Sequence, residues 1–216
     1  MIEKPFFAKL NTIADWIIRI ILLNFFLVFS LITIVLVYPV FSAVYSLFAD
    51  YVREDEPGLF SGFWKHFKKR FKRKLTIGIL LAIIAVFAVF NVRFYATALA
   101  EGAGIVFQIG FVVTLMMLMG LVVLVLVSFS VVYVFPGLKL RMTARLSLLL
   151  AGKHVFRTFL LISVMFLPLA MLTLPLTTLL FMFAGASLPV LLNVLITKPM
   201  VSYLEGLKRH DNQNGH

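Results

Sequence analysis

The sequence predicts an all-α, polytopic integral membrane protein: a helix bundle of about five transmembrane helices with two interfacial amphipathic cytoplasmic segments. Three observations predict it. Of the 216 residues, 62% are hydrophobic and 13% charged, with a mean hydropathy of +1.06. Soluble domains hold about 45–50% apolar and about 25% charged residues, so a water-soluble fold of this size would leave much of its apolar surface uncovered. Five stretches reach the roughly 20 apolar residues that a helix needs to cross a bilayer. Finally, sixteen of the twenty Lys and Arg residues gather in three segments that alternate membrane crossings would bring to one side.

The predicted spans run over about 17–38, 75–99, 105–135, 158–183 and 186–204. The first apolar run is longer than the core of a signal peptide and reads as an uncleaved span. The third exceeds bilayer thickness and must tilt or project. Outer-membrane barrels would show alternating strands of roughly ten residues, and the sequence has none. Residues 1–209 read as a single transmembrane domain, followed by a disordered polar tail at 210–216.

The connections differ in charge. Glu101 to Gly104 and Ala184 to Ser187 are short and nearly uncharged. Segment 39–74 carries eight basic residues, segment 136–157 five, and the C-terminal segment Lys198, Lys208 and Arg209. By the positive-inside bias the two long loops and the C-terminus are cytoplasmic and the N-terminus is outside, which puts Lys4 and Lys9 outside as well. The net charge of +11 has the same origin and does not call for nucleic acid. Tyr38-Pro39, Phe135-Pro136 and Lys198-Pro199 each stand at the same end of a span, before a segment able to form an amphipathic helix, which suggests a faint internal repeat.

The run from Asn24-Phe25-Phe26 through Tyr38-Pro39 and Ala43-Val44-Tyr45 resembles the opening of the YesL family, domain of unknown function 624. So does Phe63-Trp64-Lys65-His66-Phe67-Lys68-Lys69-Arg70-Phe71, and Phe135-Pro136-Gly137-Leu138 looks like that family's middle section. The resemblance implies a bacterial cytoplasmic-membrane protein encoded beside carbohydrate-uptake systems, with no established activity and no catalytic residues to carry over. A sugar-transporter or sensor protein is the partner it implies.

Catalytic signatures are missing. The sequence has no Gly-rich phosphate loop, G-x-S-x-G elbow or H-E-x-x-H pair, and zero cysteines remove every thiolate site. No histidine has a carboxylate at ligand spacing, so His66, His154, His210 and His216 read as solvated or interfacial. Neither a metal nor a cofactor is expected, and an enzyme is not the expected class. No Asp or Glu falls within a span core, which argues against a self-sufficient proton-driven carrier.

Two constellations remain. Phe60, Phe63, Trp64, Phe67 and Phe71 recur at i, i+3, i+4, i+7 and i+11, one stripe of a helix over 60–74. Lys65, Lys68, Lys69, Lys72 and Arg73 lie largely off that stripe. Such a helix lies in the headgroup plane and meets anionic lipid headgroups, each cation near the surface contributing about 1 kcal/mol. The same face can anchor topology or dock an acidic protein partner; nucleic acid is disfavoured because buried aromatics cannot stack on bases. The second constellation is Arg19, Asn24, Asn91, Arg93, Gln108 and Asn193, all towards the outer span ends in this topology. Asn24 and Asn91 lie at a similar depth and could meet across the first two spans, in which case the six would line an outward-facing polar vestibule for a small polar solute. Interhelical hydrogen bonding is the plainer reading of the same residues. Pro168 and Pro175 are expected to bend the fourth span.

Overall fold

The computed structural model describes residues 3–173 and 175–214, with side chains described at 10–173, 175 and 177–210. Lys4, Lys9 and His216 therefore fall outside the described side chains. Every regular element among the described residues is helical: α1 Glu3–Ile32, α2 Val37–Val52, α3 Leu59–Lys68, α4 Phe71–Ala100, α5 Ile105–Val134, α6 Leu140–Lys153, α7 Val155–Met165, α8 Leu167–Met171, α9 Pro175–Ala184 and α10 Ser187–Asn214. Four of them, α1 from Leu10, α4, α5 and α10, are long and apolar enough to cross a membrane. A fifth crossing is present only if α6 and the α7–α8 segment, bent by 104° at His154, count as one broken span. This is the architecture of a multi-pass membrane protein.

The second and third predicted spans appear almost unchanged as α4 and α5, joined by a turn in which Gly102 adopts φ +85°. The first does not. α1 stops at Ile32 rather than running to Tyr38, and residues 33–36 turn the chain, with Ile34 in the left-handed region. Polar side chains close the helix end where water is scarce: Ser30 Oγ donates to the Leu27 carbonyl at 2.6 Å and Thr33 Oγ1 to the Ser30 carbonyl at 3.1 Å. Pro39 then sits in the first turn of α2, where its missing N–H costs nothing.

α2 returns antiparallel to α1. Trp16 stacks on Phe48 and meets Tyr51 edge-on. The segment after Tyr38-Pro39 is thus not an interfacial amphipathic helix: twelve of the sixteen residues of α2 are buried. Apart from the stripe of Ser42, Ser46 and Asp50 its sequence is apolar around the helix, so burial on most faces is its stable placement. Leu23 and Leu27 of α1, Phe63 of α3, Ile77 of α4, Phe129 of α5 and Val190 and Val194 of α10 pack around it. Two hydroxyl pairs hold it in register, Tyr38 with Ser128 at 3.0 Å and Tyr45 with Thr197 at 2.6 Å. A second core joins α5, α6, α7 and α10 through Val127, Val131, Leu150, Leu161, Met200 and Leu204.

The fourth predicted span, 158–183, is three short helices. Pro168 falls in the first turn of α8 and Pro175 opens α9, so neither helix extends backward through its proline. Thr173 Oγ1 donates to the Ala170 carbonyl at 2.7 Å, taking up an acceptor freed at that break. Pro199 lies inside α10 without ending it, while Pro136 follows α5 and Pro39 opens α2, so the three prolines do not play one role. Where a disordered tail is expected from residue 210, α10 continues to Asn214; nothing between Arg209 and Asn214 is glycine or proline.

Candidate functional site

The predicted helix over 60–74 is two helices. α3 ends at Lys68, Arg70 takes φ 57°, and Phe71 opens α4. The aromatic stripe therefore does not lie along one lipid-facing surface. Phe63 is buried and stacks on Phe26 of α1 at 4.4 Å; Phe67 packs on Phe63 and, across the break, on Phe71 at 4.9 Å. Only the outer members stay exposed, Phe60 and Trp64, the latter at 47%.

The basic residues divide in the same way. Lys65, Lys68, Lys69, Arg70 and Lys72 are exposed. Arg73 is taken up internally, its guanidinium donating to the Pro136 carbonyl at 2.8 Å and to Thr143 Oγ1 at 2.7 Å, which ties α4 to the α5–α6 connection. Lys74, 4% exposed, donates from Nζ to the His66 carbonyl at 2.8 Å, satisfying an acceptor in the last turn of α3.

His66 is not solvated. Its Nε2 lies 2.6 Å from Asp50 Oδ2, and Tyr133 donates to Asp50 Oδ1 at 2.9 Å. Burial pushes the Asp50 carboxyl up, but hydrogen bonds from His66 and Tyr133, with the charges of His66 and Lys65, outweigh it and hold the group below its ordinary value. Beside it Arg53 pairs with Glu205 of α10 at 2.7 Å and lies over the Tyr133 ring. One end of the bundle is thus fastened by contacts linking α2, α3, α4, α5 and α10. Asp50 and His66 stand sixteen positions apart on different helices, so no spacing rule singles them out.

The six vestibule residues do not converge. Asn24, fully buried, makes four hydrogen bonds: Nδ2 donates to the carbonyls of Met182 (2.7 Å) and Phe181 (3.3 Å), and Oδ1 accepts from the backbone N–H groups of Ala186 (2.8 Å) and Ser187 (3.0 Å). Its Nδ2 meets the last carbonyls of α9, of which that of Phe181 also accepts from the Gly185 N–H, while its Oδ1 takes the free donors opening α10. Asn91 is exposed and donates to the Phe87 carbonyl of its own helix. The two asparagines do not meet, because the partners of Asn24 come from the α9–α10 corner and α1 packs chiefly on α2, α9 and α10. Arg93 and Gln108 are exposed on the α4–α5 hairpin. Arg19 reaches Glu56 at 3.4 Å and lies 4.1 Å over the Tyr51 ring. The return of α2 along α1 therefore places it beside the 53–58 turn, away from Asn91, Arg93 and Gln108. Asn193, 3% exposed, donates from Nδ2 to the Leu126 carbonyl at 3.3 Å, and its Oδ1 has no protein partner.

No group of three or more His, Cys, Asp or Glu residues fit to hold a metal occurs among the described residues. No curated protein and no solved structure matches the chain. The matched family segment stops short of Phe135-Pro136-Gly137-Leu138, but contains α2, the basic helix α3 and the Asp50, His66 and Lys74 contacts: residues 20–92 match the family described as protein of unknown function, DUF624.

Proposed function

We propose that the protein is a non-catalytic accessory or regulatory component of a bacterial cytoplasmic membrane, which presents a rigidly held basic surface to a protein partner and to anionic lipid headgroups. The observation that carries this reading is the division of labour at the α3–α4 junction. Arg73, Lys74, His66 and Asp50 are spent on internal contacts that fix the element. Lys65, Lys68, Lys69, Arg70 and Lys72 are left outward beside an exposed Trp64. A backbone already held in place has no loop left to order on binding, and an outward cluster of cations selects acidic surfaces. The buried rings of Phe63 and Phe67 are not available for base stacking, which argues against nucleic acid. By the positive-inside bias this basic end faces the cytoplasm; Arg19 lies at the same end through Glu56, so the start of α1 falls on that side and not outside as the charge count alone suggests. The carbohydrate-uptake setting, with a sugar transporter or its sensor as partner, is supported by the family resemblance alone. The rival reading, a passive carrier with a polar vestibule, loses its support because Asn24 is fully bonded internally and Asn91, Arg93 and Gln108 stand apart from it.

The test is affinity purification from native membranes in mild detergent, comparing the wild type with a Lys65→Gln/Lys68→Gln/Lys69→Gln/Lys72→Gln variant. With up to about 1 kcal/mol per cation near an acidic surface, recovery of a stoichiometric partner falls at least tenfold while the melting temperature stays put. Equal recovery from the variant, or sugar flux through the purified chain alone in liposomes, overturns the proposal.

A further inference from the structure

A small pocket of about 30 Å³ opens where the α3–α4 corner meets α2 and the end of α5, lined by Ser46, His66, Lys69, Lys74, Tyr133 and Pro136. One water takes up about 10–15 Å³ of such space, so there is room for about two or three oxygen-sized atoms. Two lysines belong to its wall and no carboxylate does.

The charge at this corner is one-sided. Lys74 is 4% exposed, and its Nζ gives the His66 carbonyl one of the three N–H groups an ammonium carries. Among the described residues no Asp or Glu pairs with Lys69, Arg70, Arg73 or Lys74. Asp50, held against His66, has both oxygens engaged, by His66 and by Tyr133. The Pro136 carbonyl already receives the Arg73 guanidinium, and Arg70 Nη2 stands beside Gly137, 3.8 Å from the place of a Cβ. The acceptors are therefore matched while donors and positive charge are in surplus. A buried charge without a counter-charge is costly. Water fills the space but leaves that charge uncompensated, and so does the hydroxyl of a neutral sugar. A phosphate group answers both needs: it brings negative charge, and its free oxygens accept from separate cations at once. The room available suits those oxygens, with the rest of the molecule outside.

We propose that this pocket binds one phosphate group, carried by an anionic lipid headgroup or by a small phosphate compound, with Lys74 and Lys69 donating to its oxygens. The proposal rests on the reading above for its place at headgroup level on the cytoplasmic side. It differs in what it needs: partner capture depends on the outward lysines, phosphate binding on the pocket behind them.

The test is native mass spectrometry of the full chain in an uncharged detergent, with dioctanoyl phosphatidylglycerol and dioctanoylglycerol as probes and inorganic phosphate as competitor. The wild type should retain the phosphate-bearing lipid about tenfold more than the one without it, the worth of about one charge-assisted hydrogen bond. Displacement by inorganic phosphate, but not by chloride at the same ionic strength, supports the site with a small phosphate compound as its occupant. Resistance to phosphate supports it with the lipid headgroup. Because changing Lys74 also strands the His66 carbonyl, the exposed Lys69 carries the mutational arm. Lys69→Gln should lower retention about tenfold, whereas Lys68→Gln, whose side chain does not line the pocket, should stay within about threefold. Equal retention of the two lipids by the wild type, or equal losses in the two lysine variants, overturns the site and leaves only diffuse surface charge. No captured partner enters these readouts, so a failed capture and a failed phosphate site are told apart.

Discussion

The two ends of the α4–α5 hairpin are built on different principles. At the basic end, the first two turns of α4 are locked by Arg73 and Lys74, Ile77 enters the α2 core, and Gly78 lies against the backbone of the 33–36 turn. The last turns of α5 contribute Ser128, Phe129 and Tyr133 to the same core and polar contacts. At the distal end the two helices have chiefly each other. Phe87, Phe90, Met116 and Met117, the last at 72%, are exposed, and Asn91 donates to the Phe87 carbonyl of its own helix. One end is specified by hydrogen bonds and close backbone approach among several helices, the other by packing between α4 and α5 alone, where the Phe94, Tyr95 and Phe107 rings meet and the Tyr95 ring lies against Gly110 within a largely lipid-facing surface. Without a hydrophobic drive between helices inside a bilayer, specificity has to come from packing and hydrogen bonds, and for this hairpin these are concentrated at the basic end. Substitutions at the two ends, and at the corner that Asn24 holds, should therefore differ in kind.

The largest effect is expected at Asn24. Asn24→Leu keeps the branching and number of side-chain heavy atoms and removes four hydrogen bonds, leaving the Met182 carbonyl and the donors opening α10 without the amide in an apolar region. Side-chain bonds in membranes are individually modest, but the stranded backbone groups add to the loss, for a cost of about 2–4 kcal/mol. The matched change Asn91→Leu, on the exposed distal helix, should stay within about 0.5 kcal/mol. Thermal unfolding of both variants in one detergent checks the pair. Equal melting temperatures for Asn24→Leu and wild type would show that the α9–α10 corner does not depend on α1.

Next come the glycines. A Cβ on Gly78 would run into the carbonyl oxygen of Val35 and approach the Pro39 ring. Backbone cannot swing aside as a side chain can, so Gly78→Ala should cost about 1–3 kcal/mol by forcing α4 away from the turn. A Cβ on Gly120, in α5, meets nothing within 4 Å, and Gly120→Ala should be neutral to within about 0.5 kcal/mol. If the two alanine variants melt together, α4 is not seated on the 33–36 turn and the contrast between the ends fails.

The legible parts of the fold were those in which one residue pattern suffices. The runs 75–99 and 105–135 are unbroken hydrocarbon bounded by a polar, glycine-containing turn, and they appear as α4 and α5. The basic character of 65–74 was also plain, as was a polar role for Asn24. The α1–α2 hairpin was hidden because hydropathy does not fall across it: residues 33–36 are as apolar as their neighbours, and the proline that draws the eye stands after the turn. Ser30 and Thr33 were the available signals, since hydroxyls near an unmarked helix end often serve its carbonyls. The Asp50–His66 pair and the Asn193–Leu126 contact depend on which helices meet, and tertiary packing decides that.

The smallest and most specific effect concerns Asp50. Its carboxyl is held below the ordinary carboxylate value because His66 and Tyr133 hydrogen-bond its charged form and Lys65 adds to the field, together outweighing burial. A depressed folded value means that the folded state binds its proton less readily than the unfolded chain. The stabilisation is therefore complete above the ordinary carboxylate range near pH 4 and is lost as the pH falls through the lower folded value. The group is part-exposed, so solvent screening keeps this contribution below about 1 kcal/mol. Melting temperatures measured from pH 7 down to pH 3 should show a wild-type decline below about pH 4 that is shallower in Asp50→Asn, which keeps an acceptor for Tyr133 but has no charge to lose. Because the residues around Asp50 hold α3 in place, the same acidification should raise protease access at the Lys68-Lys69-Arg70 turn earlier than at the α4–α5 tip. Parallel pH curves for the two proteins would show that the carboxylate is incidental to the junction, and that shape alone fixes the basic surface.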